Sequence, residues 1–487
     1  MKYKIWSVLA VLAAFLAAVG ASSLSTEHPT GRVHQHLESR GPDAGCTCDG
    51  STLCTHLPLV MLDTGGAAIP GEPILAEDGS TLGFTTAEDG ESMISARVSV
   101  MDSAERNNHP DDAPALESSM QIRVRGNSSR FFEKKSYLLR LTDTDGTYRN
   151  EKMMGMDTHY EWALYGPYLD KSLIRNYMFY NLAGELMDYA PNVRFCEVIL
   201  NGEYQGLYVM AETITSGKNS RLNLSPPLSG TDRTGFVVRV DRGSEAPLKN
   251  IETFTQYTYR SLRQMDIQYP RSGDLTPELA ASIAQEVSDF EKTLYSYDYD
   301  TDDYGYWHDI DVDAFVDYFI LNEFTVNYDA GYFSTYLYKD IGGKYTPVVW
   351  DFNSACDNYQ EAQMVMDELQ MVDSPCYFML TKDEYFTGKV LRRYEELRRG
   401  ILSDESLDRY IDETLAYLGP AIDRNFAVWS DSMTEHLLMP EYRDIHSHAE
   451  AVEQLRDFLH ARGAWLDEHL ETIQQYSHES KVKKFNH

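Results

Sequence analysis

One basic stretch of the chain carries the residue types that bind phosphate. The run IRVRGNSSRFFEKKSYLLRL at 122–141 contains a Gly-Asn-Ser-Ser turn between two alternating segments. Backbone N–H groups and hydroxyls in such a turn suit phosphate oxygens. We therefore expect Asn127, Ser128 and Ser129, with Arg125 beside them, to bind a nucleotide. Taken alone, a basic turn of this kind is more often solvated surface.

Two lysines follow this turn, where a cation can act as a point charge on nucleotide phosphates. Strand alternation places Lys135 on the face of Tyr137, and Lys134 on the face of Ser136. We prefer Lys135 if the inner face of the sheet lines the nucleotide, and Lys134 is the alternative. Glu212, after the strand-like run GLYVMA, is expected to pair with the chosen lysine and hold it in place.

Two acids in the second half of the chain can complete a phosphotransfer site. Asp351 follows the apolar run TPVVW, and a carboxylate where a buried strand ends is a natural magnesium ligand. Asn353 lies two residues on, so the two side-chain oxygens face one side of an extended segment and can share an ion. Asp329 precedes both and can orient the accepting hydroxyl. As an isolated residue, Asp351 would more often cap a turn.

The surrounding elements predict a mixed fold. Alternating residues indicate strands in the first half at 56–66, 96–101, 121–125, 136–141 and 236–240, and a hairpin around the turn at Asn201-Gly202. Helical spacing predicts helices at 169–188, 311–324 and across most of 380–475, with two strand-like runs at 332–339 and 345–350. The sequence therefore predicts an α+β fold with a strand-rich front half, a helix-rich back half and a cleft between them.

The overall charge restricts the partners. The chain has 487 residues, with 43 basic against 76 acidic side chains and a formal net charge of −33. Such acidity argues against nucleic acid as a partner, because nothing would neutralise its phosphates, and it disfavours docking on an anionic membrane. It also attracts divalent cations. The sequence lacks the motifs of serine hydrolases, zinc proteases and P-loop nucleotide-binding proteins.

The amino-terminal segment has the pattern of an export signal. Lys2 and Lys4 precede an apolar run at 5–19, and Val19-Gly20-Ala21 offers a small-residue cleavage site. An uncleaved membrane anchor is the alternative, since the run is near the lower limit for a membrane span. We expect a secreted, cell-surface or otherwise extracytoplasmic protein with no membrane contact beyond this segment.

Composition divides the chain into four parts. They are a signal peptide or membrane anchor at 1–24, a flexible Cys-containing spacer at 25–56, one large domain at 57–475 and a polar tail at 476–487. The large domain is expected to consist of a strand-rich part at 57–245 and a helix-rich part at 246–475.

Three cysteines cluster in GCTCDGSTLC as Cys46, Cys48 and Cys54, and three others are scattered along the chain. In an exported chain we expect the cluster to form a disulfide clasp at the start of the domain, with a pairing that the spacing does not define. Zinc is the alternative interpretation. Three thiols without a suitably spaced fourth ligand fall short of a structural zinc site.

Six segments together resemble one family, the spore-coat protein H (CotH) family of atypical secreted protein kinases. The resemblance covers 57–475, and the segments occur in the family's order: 122–141, WALYGPYLDKSLIRNYMFYNLAGEL at 162–186, VILNGEYQGLYVMAETI at 198–214, VDYFILNEFTVNYDAGYFSTYLYKD at 316–340, VVWDFNSACDN at 348–358 and FLHARGAWLDEHLETI at 458–473. The resemblance implies a divergent protein-kinase-like fold that binds ATP with Mg²⁺ or Mn²⁺ and phosphorylates Ser on secreted proteins.

The resemblance also implies roles for single residues. Its basic-strand lysine corresponds to Lys134 or Lys135. The acid that accepts the proton or orients the hydroxyl is Asp329, and the metal ligand is Asp351. The family's helix motif D-x-S-x-x-R-N matches DKSLIRN, for which we expect a packing role first and a phosphate contact from Arg175 second.

Two positions depart from the family pattern, and a third departs from that of ordinary kinases. Asn353 replaces the second acid of the family's W-D-x-D motif, and Asp357 stands where a glycine follows. Ser334 occupies the position at which ordinary kinases carry a metal-binding Asn. An amide oxygen can ligate magnesium but brings no charge, so we expect weaker metal binding or slower turnover.

These residues together predict an ATP- and magnesium-dependent Ser/Thr protein kinase that acts on secreted, spore-coat or cell-envelope proteins. Two alternatives stay open: an ATP-using transfer of AMP or glutamate, and a non-catalytic spore-coat or surface scaffold that retains the fold. The negative charge favours a protein substrate with basic or Ser/Lys-rich segments. The prediction requires one lysine and two acids to converge on a magnesium-bound triphosphate.

Overall fold

The computed structural model describes residues 32–43, 45–217, 220–258, 263–358, 366–433 and 443–479. The predicted signal segment at 1–24 lies outside these residues, as does most of the predicted tail. None of the helices within the described residues is long and apolar enough to cross a membrane.

Within the described residues, seven strands of the front half close into a barrel, whereas the sequence predicted strands without closure. In chain order the strands are β1 Leu59–Asp63, β2 Pro73–Leu75, β3 Thr81–Phe84, β4 Ile94–Met101, β5 Leu116–Arg125, β6 Ser136–Thr142, β7 Glu151–Met153, β8 Met156–His159, β9 Glu161–Tyr165, β10 Val193–Leu200 and β11 Glu203–Glu212. The barrel order is β1-β10-β11-β9-β6-β5-β4, and the pairing of β4 with β1 closes it. Because β1 pairs in parallel with β10, which is far away in the chain, local alternation could not reveal the closure.

Alternation along these strands separates two environments. On β5, Met120, Ile122 and Val124 face the barrel interior and belong to its apolar core. Arg123 and Arg125 alternate with them and face outward. Apolar side chains on the outer faces of β9, β10 and β11 join a second and larger core, which they share with the helices.

A second sheet joins the two halves of the chain. Its strands are β12 Phe236–Asp241, β13 Asn250–Ile251, β14 Gln264–Tyr269, β15 Thr335–Lys339 and β16 Thr346–Val348, in the order β13-β14-β12-β15-β16. All neighbouring strands in it are antiparallel. Because β12 pairs with β15, a strand from the front half lies in the same sheet as strands from the back half.

Helices occur at 175–186, at 312–325 and through much of 380–475, where helical spacing predicted them, whereas the helix at 277–294 was not predicted. In chain order the helices are α1 Gln35–Glu38, α2 Arg175–Leu186, α3 Phe254–Tyr257, α4 Pro277–Leu294, α5 Val312–Thr325, α6 Tyr377–Leu380, α7 Glu384–Arg398, α8 Asp404–Leu418, α9 Pro420–Val428 and α10 His448–His469. The N-cap of α5 is Asp311, whose carboxylate accepts the N–H of Ala314 at 3.1 Å. The predicted hairpin at Asn201-Gly202 joins β10 to β11. The α+β class is therefore confirmed.

The helix α2 lies against the outside of the barrel and also contacts α5. Tyr177 of α2 stacks on Phe195 of β10, with ring centroids 4.1 Å apart. Every α2 residue from Arg175 to Ala183 is buried, as expected for a helix that is covered on more than one side. This position brings α2 next to the segment that follows β16.

The predicted disulfide clasp is not present. All six cysteines lie within the described residues, and none of them forms a disulfide. Cys46, Cys48 and Cys54 nevertheless lie close to one another.

A buried ion pair joins α5 to α10. Glu323 is 1% exposed and Arg462 is 0% exposed, and their side chains are hydrogen-bonded to each other. Glu323 also accepts the N–H groups of Gln370 at 2.9 Å and Met371 at 2.7 Å. The carboxylate therefore has both a cation and backbone donors, which a charge at this depth requires.

Replacing Arg462 by Met should lower the free energy of unfolding by about 3–5 kcal/mol, because Glu323 is left buried without its cation. Arg399→Met is the matched control. Arg399 and Glu395 form an exposed pair 2.8 Å apart, whose loss should change the free energy by less than about 1 kcal/mol. Urea denaturation measures both variants. Equal stability of Arg462→Met and the unmodified chain would contradict the prediction.

Candidate functional site

A cavity of about 460 Å³ is lined by the barrel on one side and the five-stranded sheet on the other. Outward-facing residues of β5, β6, β9 and β11 contribute one wall. Residues of β12, β15 and the segment after β16 contribute the other, and α2 adds Asn176 and Tyr180. The cavity therefore lies where the front and back halves of the chain meet.

Seven of the predicted site residues line this cavity. They are Arg125, Asn127, Ser128, Ser129, Asp329, Asp351 and Asn353. The predicted phosphate-binding turn of the barrel and the two acids of the back half thus meet at one cavity, although they are far apart in the chain. The chemical roles assigned to these residues remain predictions.

Gly126 gives the predicted phosphate-binding turn its shape. Its φ is 110°, and a Cβ at this position would lie 1.8 Å from Ser129 Oγ, so only glycine fits. Arg130 closes the turn, since its Nε donates to the Gly126 carbonyl at 2.7 Å. The Arg130 guanidinium also lies 4.0 Å from the centroid of the Phe84 ring. These contacts fix the turn in the cavity wall.

The loop that carries Asp351 is not the extended segment that the sequence predicted. Asp351 has a φ of 61°, in the left-handed region that residues with a side chain rarely adopt. Its N–H donates to the Tyr180 hydroxyl at 2.9 Å, and the N–H of Phe352 donates to Asn176 Oδ1 at 2.7 Å. Both acceptors belong to α2. They bind the N–H groups that would have paired with a neighbouring strand if β16 had continued. Asn353 still lines the same cavity.

Arg175 lies in the core and not at the cavity, which corrects the predicted phosphate contact. Its side chain is fully buried and pairs with Asp170 at 2.6 Å. Its Nε donates to the carbonyl of Ala355 at 3.1 Å, which attaches the later part of the Asp351 loop to α2. The geometry of Arg175 therefore supports the packing role that was expected first for this helix.

Neither of the two predicted lysines lines the cavity, and this is a second correction. Lys134 Nζ donates to the carbonyl of Leu207 and to Asn425 Oδ1, both at 2.6 Å, and burial lowers the pKa of Lys134 well below its usual value. Lys135 Nζ donates to the carbonyl of Arg130 at 2.9 Å. The inner strand face, which was expected to line the nucleotide, instead faces the barrel core. The cavity lies on the outer face.

Glu212 pairs with neither lysine, contrary to the prediction. Its carboxylate accepts the N–H of Asn192 at 2.8 Å and lies 3.2 Å from Arg221 Nη1. Lys134 contacts the Leu207 carbonyl, which is about 16 Å away from Glu212 along β11 at the usual rise of a strand. Glu212 therefore fixes the segment around Asn192.

Arginines supply the positive charge that the sequence prediction had assigned to lysine. Those lining the cavity include Arg123, Arg125, Arg239 and Arg242. Arg125 lies 5.3 Å from the centroid of the Trp350 ring, next to Asp351 in the chain. The signal was present in the sequence, because three of these arginines stand in predicted strands. Alternation alone does not show which polar strand face meets a second sheet.

The acids of the cavity influence one another. Burial and the neighbouring Asp329 raise the pKa of Asp351 to about 6. Burial also raises the pKa of Asp329, and Arg242 opposes this shift. Asp241, a third acid in the lining, raises the pKa of both. Such a group of carboxylates favours binding of a proton or a cation, and its oxygen atoms suit a divalent metal ion.

A family profile described as CotH kinase protein matches residues 122–466, which is more than half of the chain. The chain belongs to the CotH kinase family. The resemblance inferred from the sequence is thereby confirmed. No curated protein matches this CotH chain. The matched segment begins in β5 and ends in α10, so it contains the predicted phosphate-binding turn and both predicted acids.

Two of the positions singled out in the sequence have an unusual backbone conformation. Asp357, at which the resemblance implies a glycine, has a φ of 54°, and Ser334 has a φ of 47°. Glycine adopts such values without steric cost, whereas other residues are strained. The Asp357 carboxylate pairs with Arg443 at 2.6 Å, which helps to hold this conformation.

The raised pKa of Asp351 predicts a pH-dependent stability. A carboxyl with a pKa of about 6 in the folded chain, instead of 3.8, stabilises the fold while it is protonated, and this contribution is lost as the pH rises through 6. Asp351→Asn should therefore be more stable than the unmodified chain at about pH 8, by up to about 3 kcal/mol, and the gain should shrink towards about pH 4. Urea unfolding without divalent cations measures this difference.

Asp313→Asn is the control for this experiment. The Asp313 side chain is 80% exposed and pairs with Lys389 on the surface. Its replacement should change the free energy of unfolding by less than about 1 kcal/mol at either pH. A difference between Asp351→Asn and the unmodified chain that stays constant across the pH series would be evidence against a raised pKa at Asp351.

Proposed function

We propose that this CotH chain is an ATP- and magnesium-dependent phosphotransferase, a Ser/Thr protein kinase that acts on secreted, spore-coat or cell-envelope proteins. One observation carries the proposal. A single cavity combines Asp329 and Asp351 with several arginines and the phosphate-binding turn, in a chain of the CotH kinase family. These are the groups that phosphoryl transfer requires.

The proposal extends to the fold, which we interpret as a divergent form of the protein-kinase fold. The barrel provides the glycine-containing phosphate-binding turn, and the part around α5 and the second sheet provides the acids. This order along the chain, with a phosphate-binding turn first, a hydroxyl-orienting Asp next and a metal-binding Asp last, is the order of the corresponding parts in protein kinases.

The oxygen atoms near Asp351 fit a magnesium ion. Asp351 offers a carboxylate and Asn353 an amide oxygen to the same cavity. Magnesium is usually bound by one or two carboxylates together with phosphate oxygens and water. The pKa of Asp351 is raised partly because the neighbouring Asp329 is also negative, and a bound cation would reduce this repulsion. When bound, Mg²⁺ or Mn²⁺ neutralises charge on the phosphates.

Arginine suits the role that was first assigned to a lysine. A guanidinium keeps its proton when partly buried, and it can bind two phosphate oxygens through parallel N–H groups. Arg125 projects from the outer face of β5 into the cavity that also contains Asp351. Asp329 orients the accepting hydroxyl and takes its proton. Burial raises the pKa of Asp329, which makes its carboxylate a stronger proton acceptor.

The proposed acceptor is a Ser or Thr hydroxyl in a basic segment of another protein. The net charge of −33 attracts such segments over long distances. The predicted export signal places the encounter outside the cytoplasm, in the secreted, cell-surface or spore-coat compartment.

Labelled ATP tests the proposed reaction. The full chain with Mg²⁺ should transfer the γ label to protein and should not transfer the α label. AMP transfer would leave the α label on protein, and glutamate transfer would leave neither. Asp351→Ala and Asp329→Asn should each lower γ labelling by at least about 100-fold, because one removes a metal ligand and the other the base. Circular dichroism checks that both variants remain folded.

Asp313→Asn is again the matched control, since Asp313 is an exposed acid of α5 outside the cavity. It should label within about twofold of the unmodified chain. If Asp351→Ala labels as well as the unmodified chain, the phosphotransferase proposal fails. The non-catalytic scaffold would then be the better account.

Arginines and lysines should have different effects on nucleotide affinity. Arg125→Met should weaken binding of Mg-ATP by at least about tenfold, because a charge-assisted contact to phosphate contributes about 1.5–3 kcal/mol. Lys135→Met should change the affinity by less than about twofold, because Lys135 is not part of the cavity lining and its side chain already binds the Arg130 carbonyl. Titration calorimetry measures both. The opposite ranking would restore the lysine to the phosphate site.

A further inference from the structure

Cys46, Cys48, Cys54 and His109 come together outside the candidate site. Each offers one ligand atom, and these four atoms all lie within 4.8 Å of one another. Cys46 Sγ lies 3.5 Å from His109 Nε2. In the part of the chain that the structure describes, no other group of three or more His, Cys, Asp or Glu side chains comes together in this way. His109 is the fourth ligand that the cysteine spacing alone did not show.

The distances fit a tetrahedral zinc ion. Bonds of about 2.3 Å to sulfur and about 2.0 Å to nitrogen place a sulfur and a nitrogen about 3.5 Å apart, and two sulfurs about 3.8 Å apart, around such an ion. The 3.5 Å between Cys46 Sγ and His109 Nε2 agrees with this geometry. We propose that Cys46, Cys48, Cys54 and His109 bind one zinc ion in a structural site.

The surroundings of His109 are those of a metal ligand. Its Nδ1 lies 3.3 Å from Asp112 Oδ2, while its Nε2 faces Cys46. The Asp112 carboxylate accepts the backbone N–H of His109 at 2.9 Å and forms an ion pair with Arg106 at 2.7 Å. A carboxylate on the second ring nitrogen fixes the tautomer and the orientation of a histidine that binds metal through the first. His109 is therefore oriented to present Nε2 to the ion.

Backbone contacts hold the two ligand-bearing segments together. Thr55 and Asn108 form an antiparallel bridge, with N–H to carbonyl distances of 3.1 and 2.6 Å. Asn107 Nδ2 donates to Cys54 Sγ at 3.2 Å, and Asn107 Oδ1 accepts the N–H of Asp43 at 3.1 Å. Asn107 therefore ties Cys54 and the segment at Asp43 to the connection that carries His109.

Zinc accounts for the cluster better than the disulfide that the sequence suggested. A disulfide would use two of the three thiols and leave the third beside His109 without a role. A zinc ion uses all four side chains, and each has its ligand atom directed towards the others.

The site lies at the end of the barrel opposite the candidate active site. His109 stands in the connection from β4 to β5, before the first residue of β5, whereas the phosphate-binding turn follows its last residue. A β5 strand of ten residues is about 33 Å long. Zinc would attach the predicted spacer to the barrel without touching the cavity, so this proposal and the phosphotransferase proposal can fail independently.

Metal titration of the full chain, reduced and freed of metal by a chelator, tests the site. The unmodified chain should bind one Zn²⁺, and added Co²⁺ should give the visible absorption of a tetrahedral thiolate site. Cys48→Ser and His109→Gln should each weaken Zn²⁺ binding at least about tenfold, whereas His109→Cys should retain it, because four thiolates also suit zinc. Asp112→Asn keeps all four ligands and should weaken binding by about 10–100-fold.

Cys376→Ser and His308→Gln are matched controls, one thiol and one imidazole away from the cluster. Both should bind Zn²⁺ like the unmodified chain, and Zn²⁺ should raise their thermal unfolding midpoint equally. The proposal is overturned if the reduced unmodified chain binds no Zn²⁺, or if Cys48→Ser binds it equally well. A disulfide between two of the three clustered cysteines in chain purified without reductant, together with no bound zinc, would also overturn it.

Discussion

The attachment of one loop to α2 determines whether the candidate site exists. Asp351 faces the cavity with a φ of 61°, and such strain costs about 1–3 kcal/mol for a residue with a side chain. Tyr180 and Asn176 accept backbone N–H groups at the start of this loop, and the buried Arg175 binds the Ala355 carbonyl further along. Each buried hydrogen bond contributes about 1 kcal/mol, and more where a charge takes part. The free energy of the three hydrogen bonds together is therefore large enough to offset the strain at Asp351.

The distribution of cations follows from the same arrangement. Because α2 and the second sheet cover the outer face of the barrel, any group that meets Asp351 must come from that face. Lys134 is not part of the cavity lining: burial lowers its pKa, and two oxygen atoms already accept its N–H groups. Arginine suits a partly buried cavity wall better than lysine does, because it keeps its charge there. Arg125 and Arg239 occupy positions of this kind in the cavity lining.

Interactions between residues close in the chain could be predicted, and those set by the tertiary fold could not. Helical spacing located α5, and the Asn201-Gly202 turn located the β10–β11 hairpin, because both signals are local. Closure of the barrel depends on the pairing of β1 with β10, which leaves no local trace. Alternation could not decide between the two lysines, because both precede Ser136, the first residue of β6. Ser136 lines the cavity, yet Lys134, two residues earlier, does not. His109 was missed because it is far from Cys54 in the chain.

The replacement of the family's second acid by Asn353 does not leave the cavity poor in negative charge. Asp241, the last residue of β12, lines the same cavity and raises the pKa of both Asp329 and Asp351. The pairing of β12 with β14 includes Asp241, so the second sheet, and not the Asp351 loop, carries this carboxylate. A cation in the cavity would meet carboxylates from three separate segments of the chain. A fourth carboxylate at position 353 would add repulsion to a group in which Asp351 is already difficult to ionise. The amide of Asn353 supplies a neutral oxygen instead, so the substitution changes the balance of charge without removing the site.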